Sequence, residues 1–371
     1  MSDHTPLKPA VAIKGRGATR QIIGRFETQY SELEDDGWTC DSSTGKLATE
    51  VSVEVAKTIL TRNQSPDLPF SVSLNPYRGC EHGCVYCYAR PSHAYLGLSP
   101  GLDFESRLFA KINAAQLLRQ ELAHPNYRPL PIAIGVNTDA YQPCEKTWCI
   151  TQQLLDVLNE CRHPCGLITK SALIERDIPL LANMAQDNLV TVAITLTTLD
   201  ADISRKLEPR AASPQRRLKT INRLAAAGIP VSVSVAPMIP FITEQDLEAV
   251  LTASCAAGAR AANYTLIRLP WEVNPLFQEW LELHFPDRAE RVMNRIRDSR
   301  GGQNNISDFS QRMKGDGVFA HLIQRRFNLC VRRLGMNQGR EFSGLNDQLF
   351  RKPKTVPAAP NARHSQGDLF G

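Results

Sequence analysis

Long apolar runs are absent from this 371-residue chain, and no stretch approaches the roughly 18 apolar residues of a membrane-spanning helix. Residues 1–17 are polar and basic and lack the apolar segment of a secretion signal. Fixed-period repeats are absent too, and 10 cysteines are too few for a disulfide-stabilised scaffold. These absences predict a cytoplasmic globular protein with no membrane contact, whose reduced thiols are available for metal or redox chemistry.

The chain also has little excess of either sign of charge, because its net charge is only +5. Its distribution is uneven, however, since residues 288–340 contain twelve Lys or Arg and four Asp or Glu. A local basic excess is typical of a surface that binds a polyanion such as DNA. It is equally typical of a solvated helical face whose charges are balanced elsewhere. Both interpretations stay open at this point.

Short β-branched segments alternate with longer helical patterns between residues 70 and 267. Strands are predicted at 70–74, 131–136, 166–169, 189–197, 231–236 and 262–267. Helices are predicted at 104–123, 147–162, 173–186, 213–227 and 244–257. Six β/α units predict an α/β fold with a parallel sheet, namely a partial (β/α)6 barrel, with an open doubly wound sheet as the alternative. In either fold the functional site lies at the carboxyl ends of the strands.

Four regions are predicted along the chain. Residues 1–65 form an N-terminal arm, mobile up to about residue 25, and an acidic lead-in, and residues 66–270 form the barrel. Residues 271–350 form a basic, mainly helical C-terminal extension, interrupted at Gly301 and Gly302, that covers the barrel mouth. Residues 351–371 are rich in Pro, Ala and polar side chains and are predicted to be a disordered tail.

Three cysteines, Cys80, Cys84 and Cys87, stand at C-x3-C-x2-C spacing in the loop after the first predicted strand. The loop is short and broken by glycine, so the three sulfurs are expected to converge on one point. Three ligands rather than four would leave a metal with an open position for chemistry. Soft thiolates suit an iron–sulfur cluster, and they also suit a structural zinc ion with His82 as fourth ligand. Three unrelated buried thiols are the remaining alternative.

This motif, with an aromatic residue before its last cysteine, resembles that of the radical SAM superfamily. There the three cysteines hold a [4Fe–4S] cluster, and its fourth iron chelates S-adenosylmethionine. Reductive cleavage of S-adenosylmethionine gives a 5′-deoxyadenosyl radical. The resemblance implies that Cys80, Cys84 and Cys87 are metal ligands and that Tyr86 is the aromatic residue beside the cofactor. It also implies an electron donor, such as flavodoxin or ferredoxin, as a partner.

Within that superfamily, about half of the chain, residues 75–240, is similar to spore photoproduct lyase and its non-spore relatives. The run from Cys84 to Tyr88 matches the lyase's C-x-Y-C-Y, and two further shared blocks are Glu208-Pro209 and Arg217-Leu218. The resemblance implies catalytic roles for Tyr86 and Tyr88, with hydrogen-atom relay by Tyr88 or simple packing as the alternatives. The cofactor-binding residues that it implies, besides Tyr86, are Asn137, Thr138, Asp139, Lys170, Thr195 and Ala236.

The chemistry of two of these residues agrees with the resemblance. Lys170 follows the third strand, where its cation suits the carboxylate of S-adenosylmethionine, although a surface salt bridge is the alternative. Asp139 could bind the cofactor's ammonium group or cap its own turn.

Val136 departs from the lyase pattern. The lyase has a hydrogen-donating cysteine at this position, and valine cannot donate that hydrogen. Cys144 and Cys149 follow a few residues later, either as substitutes or as plain buried thiols. The mechanistic class therefore carries over better than the repair of one particular thymine lesion.

The last residues of the chain contain the run Gln366-Gly367-Asp368-Leu369-Phe370. It resembles the Q-x-[SD]-L-F peptide with which bacterial replication and repair proteins bind the DNA sliding clamp. A tail with two apolar anchors can order on binding. The prediction is that Gln366, Asp368, Leu369 and Phe370 tether the protein to the clamp, and the alternative is an ordinary tail.

Together these observations predict a radical SAM enzyme that acts on damaged or modified DNA. One alternative keeps the chemistry but changes the substrate to a protein or a small metabolite. The other is a non-catalytic, zinc-stabilised protein that binds nucleic acid.

Overall fold

The computed structural model describes residues 12–26, 47–339 and 344–353. Its strands are β1 (Glu50–Glu54), β2 (Leu60–Arg62), β3 (Val72–Leu74), β4 (Tyr77–Arg78), β5 (Arg107–Lys111), β6 (Ile132–Ile134), β7 (Cys165–Thr169), β8 (Val190–Thr195), β9 (Val231–Met238) and β10 (Ala261–Leu266). Its α-helices are α1 (Asp103–Ser106), α2 (Ala114–Ala123), α3 (Glu145–Trp148), α4 (Ile150–Glu160), α5 (Ile178–Gln186), α6 (Ala201–Leu207), α7 (Pro214–Ala226), α8 (Leu247–Ala257), α9 (Val273–His284), α10 (Pro286–Asp298) and α11 (Gly317–Arg333). Short 3-10 helices span Arg90–Leu96, Ala172–Asp177 and Glu244–Asp246.

The central sheet contains seven strands in the order β10-β9-β8-β7-β6-β3-β2. Six of its strands pair in parallel, namely β3, β6, β7, β8, β9 and β10. Strand β2 adds an antiparallel edge beside β3. Their residues are apolar and β-branched, as in β8, where Val190, Val192 and Ile194 are buried. The predicted α/β class with six β/α units is confirmed, and each predicted strand is present to within a few residues.

A second, three-stranded sheet in the order β1-β5-β4 corrects one predicted helix. The helix predicted over 104–123 is interrupted by β5, which pairs in parallel with β1 and antiparallel with β4. Within β5, Leu108 and Ala110 are buried and alternate with more exposed residues, which is the period of a strand. The apolar spacing on either side is helical and masked this short alternation.

The C-terminal extension is mainly helical, as predicted, and its break falls at Gly301 and Gly302, whose φ angles of 59° and 85° end the helical path. The buried Arg300 side chain ties this break to the sheet, because Nη2 donates to the carbonyl of Ile267 (2.8 Å) and Nη1 to that of Arg312 (2.8 Å). The extension therefore packs on the β10 end of the sheet. The four region boundaries stay predictions.

The N-terminal segment is not a free arm where it is described. The backbone N–H groups of Gly17 and Ala18 donate to the buried Glu105 carboxylate at 2.9 and 2.8 Å. Arg25 forms an ion pair with Glu272 at 3.2 Å. Residues 12–26 thus pack against the barrel and the C-terminal extension, and the mobility of the arm stays a prediction.

Two sequence-based predictions concern the end of the chain. Gln366, Asp368, Leu369 and Phe370, and the tail from residue 354 onward, lie outside the described residues. The clamp hypothesis stays a prediction from sequence. In the part of the chain that the structure describes, no helix is both long and apolar enough to cross a membrane.

Candidate active site

The predicted site residues share one edge of the central sheet. Parallel pairing places the carboxyl ends of β3, β6, β7, β8 and β9 at the same edge. The cysteine loop follows β3, the turn with Asp139 follows β6, and Lys170 follows β7. Thr195 ends β8, and Ala236 lies near the end of β9.

The cysteine loop is shaped by two glycines and held by its neighbours. Gly79 and Gly83 have φ angles of 73° and 65°, and a Cβ on Gly79 would lie 2.5 Å from the Leu108 side chain. The side chain of Gln142 spans the loop, because its amide donates to the Gly79 carbonyl (3.1 Å) and accepts from Glu81 N–H (2.8 Å). The loop is therefore preformed around its three thiols.

The three thiols are neighbours in an environment poor in solvent. Cys80 and Cys84 are each 7% exposed, and Cys87 is half-buried. Burial raises the pKa of Cys84 to about 12, and burial together with Asp139, Cys84 and Cys87 raises the pKa of Cys80 well above its usual value. Among the described residues, no three His, Cys, Asp or Glu side chains are already arranged as a metal site. The donor set fits an iron–sulfur cluster, because it offers three soft sulfurs from one short loop, whose protons ligation would displace.

Asp139 is engaged by protein donors on both carboxylate oxygens. Oδ1 accepts from the Thr169 hydroxyl (2.7 Å) and from Tyr141 N–H (2.9 Å), while Oδ2 accepts from Lys170 N–H (2.8 Å). His82 Nδ1 lies 3.3 Å from Oδ2, without hydrogen-bond geometry. Burial by itself would raise the pKa of Asp139, but His82, Thr169 and Lys170 lower it below its usual range. The turn-capping alternative is therefore realised, and His82 faces this carboxylate.

Lys170 presents the free cation of the site. No carboxylate forms an ion pair with its ammonium group in the described ranges, so the salt-bridge alternative is not observed. Burial alone would lower the pKa of Lys170, but Cys84, Glu208 and Asp139 together raise it above its usual value. A charged ammonium group next to Cys84 is suited to an anionic group of a ligand.

A buried network connects the predicted residues Tyr86 and Thr195 to Glu208 and Arg217, for which no role was predicted. Glu208 and Arg217, 2% and 1% exposed, form an ion pair, and the Tyr86 hydroxyl donates to the same carboxylate. Arg217 Nη1 also donates to the Thr195 carbonyl (2.9 Å), and the Thr197 hydroxyl donates to Glu208 (2.8 Å). The shared blocks around Glu208 and Arg217 were visible in the sequence, but their pairing was not. Tyr86 is thus held by hydrogen bonding as well as by packing.

The remaining predicted cofactor residues lie at the same edge with their polar groups partly engaged. The Thr138 hydroxyl is buried and donates to the Tyr77 carbonyl (3.0 Å), and Asn137 N–H donates to the side chain of Asn75 (2.9 Å). The Ala236 carbonyl oxygen lies 3.2 Å from the Thr197 hydroxyl, whose proton is directed to Glu208 at the shorter distance of 2.8 Å. The Asn137 side chain is half-buried and has no hydrogen-bond partner among the described residues, so it can contact a ligand.

Tyr88 marks the open side of the site, which we call the mouth face, formed by Tyr88, Val136 and Arg268. Tyr88 is 50% exposed, and its hydroxyl donates to the Val136 carbonyl. The Arg268 guanidinium carbon lies 5.8 Å from the Tyr88 ring centre, and Arg268 Nε is buried with no hydrogen-bond partner among the described residues. Burial and Arg312 lower the pKa of Arg268. Sequence analysis missed Arg268, because no motif surrounds it.

The two cysteines that could replace the missing thiol lie elsewhere. Cys144 is buried in the main hydrophobic core. The sulfur of Cys149 lies 3.6 Å from Arg176 Nη1. Neither has a described contact with Tyr88, so the interpretation as plain thiols is favoured.

Comparison with known proteins agrees with this geometry. Residues 74–253 match the family model of the Radical SAM superfamily. An uncharacterized protein of Mycobacterium tuberculosis is 37% identical over 226 residues, which cover 60% of this chain and 66% of that protein. An uncharacterized protein of Methanocaldococcus jannaschii is 24% identical over 223 residues, covering 60% of this chain and 79% of that protein. The chain thus spans just under two thirds of the mycobacterial relative's length.

Among solved structures, spore photoproduct lyase complexed with dinucleoside spore photoproduct has a TM-score of 0.51 to this chain. The identity is 14%, and the superposition covers 77% of this chain and 80% of that one. At this identity the likeness concerns the fold alone. Residues 74–253, just under half of the chain, thus match a radical SAM domain with the partial-barrel fold, and this match implies a [4Fe–4S] cluster and S-adenosylmethionine as cofactors.

Proposed function

We propose that this protein cleaves S-adenosylmethionine reductively and uses the resulting radical on damaged or modified DNA. The observation that carries the proposal is the arrangement of three thiols, two buried and one half-buried, on one loop at the carboxyl edge of a parallel sheet. Beside them lies Lys170, which has no ion-pair partner among the described residues. In radical SAM chemistry one electron passes from a reduced [4Fe–4S] cluster to S-adenosylmethionine, which splits into methionine and a 5′-deoxyadenosyl radical.

Each residue of the site has a separate part in this proposal. Cys80, Cys84 and Cys87 hold the cluster, and the Lys170 ammonium group binds the carboxylate of S-adenosylmethionine. Asp139 fixes the turn that carries Asn137 and Thr138, since its carboxylate is saturated by protein donors. These groups are held before the ligand arrives, which lowers the cost of ordering them.

The mouth face would meet the substrate. Tyr88 is half exposed, and its hydroxyl is anchored on the Val136 carbonyl, so it can stand between the cofactor and a substrate carbon. Val136 itself supplies no transferable hydrogen. We therefore assign the hydrogen relay to Tyr88, with Tyr86 as the fixed aromatic residue beneath the cofactor.

Support for DNA comes from the lyase-like sequence blocks and from part of the basic extension. Not all of these basic residues are free to bind DNA, because three of the arginines form contacts within the protein. Arg300 binds backbone carbonyls, Arg312 pairs with Asp67 (2.5 Å) and Arg326 pairs with Glu248 (2.6 Å). The exposed arginines without a described ion pair are Arg288, Arg291, Arg325, Arg332 and Arg333. All five reach solvent, where they can meet phosphates, while Arg288 also donates to the Phe241 carbonyl (3.2 Å) and Arg291 stacks on the Phe241 ring.

The proposal is tested by anaerobic reconstitution with iron and sulfide, reduction with dithionite, and addition of S-adenosylmethionine. We expect the protein to bind iron and to form 5′-deoxyadenosine. Iron analysis and chromatography measure the two results. Stoichiometric zinc without iron, or reduced iron-loaded protein that forms no 5′-deoxyadenosine, would contradict the radical chemistry.

The substrate class is tested separately with oligonucleotides. We expect binding to a short single-stranded DNA to weaken steeply as salt increases, because counterions are released from phosphates. Absence of binding at low salt would favour the alternative of a protein or a small metabolite.

A further inference from the structure

A cavity of about 550 Å³ opens near the cysteine loop, and Tyr88 is not among its lining residues. It lies between the N-terminal segment, helix α6 and the end of α9. We call it the rear cavity, and its lining residues are Ala12, Ile13, Lys14, Gly15, Arg16, Asp202, Arg205, Lys206, Pro209 and His284.

The charge of the rear cavity is strongly positive. Lys14, Arg205 and Lys206 are exposed, and none of them pairs with a carboxylate among the described residues. Asp202 is the single acidic side chain of the lining. Cations that line a concave surface and outnumber its described acidic groups concentrate positive potential and attract an anionic partner.

The walls of the rear cavity touch the backbone between Cys80 and Cys84. Gly17, next to Arg16, packs so closely that a Cβ on it would lie 1.8 Å from the Gly83 carbonyl oxygen. On the other side, Pro209 Cγ would lie 3.3 Å from a Cβ placed on Gly83. Helix α6 is tied to the same loop, because Val85 N–H donates to the Leu207 carbonyl (3.2 Å). The cavity therefore adjoins the metal-binding loop directly.

The proposed reaction restricts how an electron can reach this loop. While a radical exists, the mouth face must exclude water and stray hydrogen donors. A protein that delivers electrons therefore needs a second face from which the cluster is close. The rear cavity opens on such a face, and its positive charge favours an acidic protein partner.

We propose that the rear cavity is the docking site of an acidic one-electron donor protein, with Lys14, Arg205 and Lys206 as its recognition residues. This inference rests on the proposed function, because it assumes a cluster that must be reduced. In the step itself one electron leaves the reduced flavin or iron–sulfur centre of the donor and enters the cluster, and no proton or group is transferred. The donor is oxidised and the cluster is reduced, by one electron each.

Recognition by three exposed cations agrees with a brief encounter rather than a permanent complex. Electron-transfer complexes bury small interfaces, below about 1,200 Å² in total. A protruding acidic loop inserted among three cations would gain orientation and association rate from charge, with strong salt dependence.

The test compares two triple charge reversals in the full-length, reconstituted protein. One variant carries Lys14→Glu, Arg205→Glu and Lys206→Glu, and the control carries Arg325→Glu, Arg332→Glu and Arg333→Glu on α11. The probe is an acidic flavodoxin, and its affinity is measured by biolayer interferometry at low and high salt. We expect the rear-cavity variant to bind at least about tenfold more weakly at low salt, and the control to bind normally.

Activity supplies a second readout. With flavodoxin as reductant, formation of 5′-deoxyadenosine should fall in the rear-cavity variant in parallel with affinity, whereas with dithionite it should match the unsubstituted protein. The corresponding triple Gln variant, which keeps side-chain volume near Phe285, should show a smaller loss in the same direction.

Three outcomes would overturn the inference. They are an unchanged flavodoxin affinity, an equal loss in the α11 control, or a loss of oligonucleotide or inorganic phosphate binding in place of flavodoxin binding. If the unsubstituted, iron-loaded protein forms no 5′-deoxyadenosine with dithionite, the proposed function fails instead, and the flavodoxin affinities still decide whether the cavity is a docking site.

Discussion

The two faces of the cysteine loop are built differently. On the mouth face, Tyr88 is half exposed, and the buried Nε of Arg268 has no partner among the described residues. On the rear, Glu105 is fully buried, forms an ion pair with Arg90 and accepts two backbone hydrogen bonds. The mouth face thus keeps an exposed aromatic ring and a cation that is not fully bonded, whereas the carboxylate on the rear is fully engaged. The comparison shows that one loop can be held by protein contacts on one side and be open to a ligand on the other.

The largest expected effect tests whether the position of a thiol, rather than its burial, decides metal binding. Cys84→Ala should abolish iron binding and reduce 5′-deoxyadenosine formation more than about 100-fold, because a three-thiolate cluster site loses one ligand. Cys165→Ala is the matched control, since burial raises the pKa of both thiols to about 12. Iron analysis and product chromatography measure the result. Full iron content in Cys84→Ala would refute the ligand assignment.

The next effect concerns the support beneath both faces. Glu208→Ala would leave the buried Arg217 without its carboxylate, so we expect the free energy of unfolding to fall by about 3–5 kcal/mol. Urea unfolding of the cluster-free protein measures this. Arg20→Ala, which breaks the exposed pair with Glu279, should cost less than about 1 kcal/mol. Equal losses in the two variants would show that the buried network does not support the loop.

A smaller effect is expected from the contact on the rear face. Gly17→Ala would push a methyl group against the Gly83 carbonyl, and since the backbone must shift, we expect a loss of about 1–3 kcal/mol in the free energy of unfolding. In Gly166→Ala the nearest atom lies at an ordinary 3.5 Å, so this control should be nearly neutral. Hydrogen exchange of the cysteine loop should rise in the first variant only. Unchanged stability in Gly17→Ala would mean that this face is not tightly packed.

The smallest effect is expected at the mouth face. Arg268→Gln removes a guanidinium with an orphaned Nε next to the cationic Arg312, so the free energy of unfolding should change by less than about 1 kcal/mol. Binding to single-stranded DNA should weaken, and the salt slope should fall by about 0.7, which corresponds to one lost phosphate contact. Fluorescence anisotropy across a salt series measures this slope. A large loss of stability with an unchanged slope would instead assign Arg268 a structural role.

The sequence predicted the parts of the site whose residues are close along the chain. Three thiols within eight residues define a soft-metal loop whatever surrounds them, and this local spacing carried the superfamily assignment. The six parallel strands were also predictable, because β-branched apolar runs between helices leave few alternatives. Over 104–123 the prediction was wrong in the middle, since β5 is defined by its partners β1 and β4 and not by its own spacing.

Long-range pairing was outside the reach of the sequence. Tyr86 meets Glu208, 122 residues away, and Arg268 reaches Tyr88 from the end of β10. The rear cavity joins Lys14 to Arg205 and Lys206, which no motif connects. The sequence by itself thus determined the kind of chemistry, because ligand type and short spacing are local properties. Tertiary structure alone decided which cations remain unpaired and which face of the loop each one serves, because charge compensation depends on residues that only folding brings together.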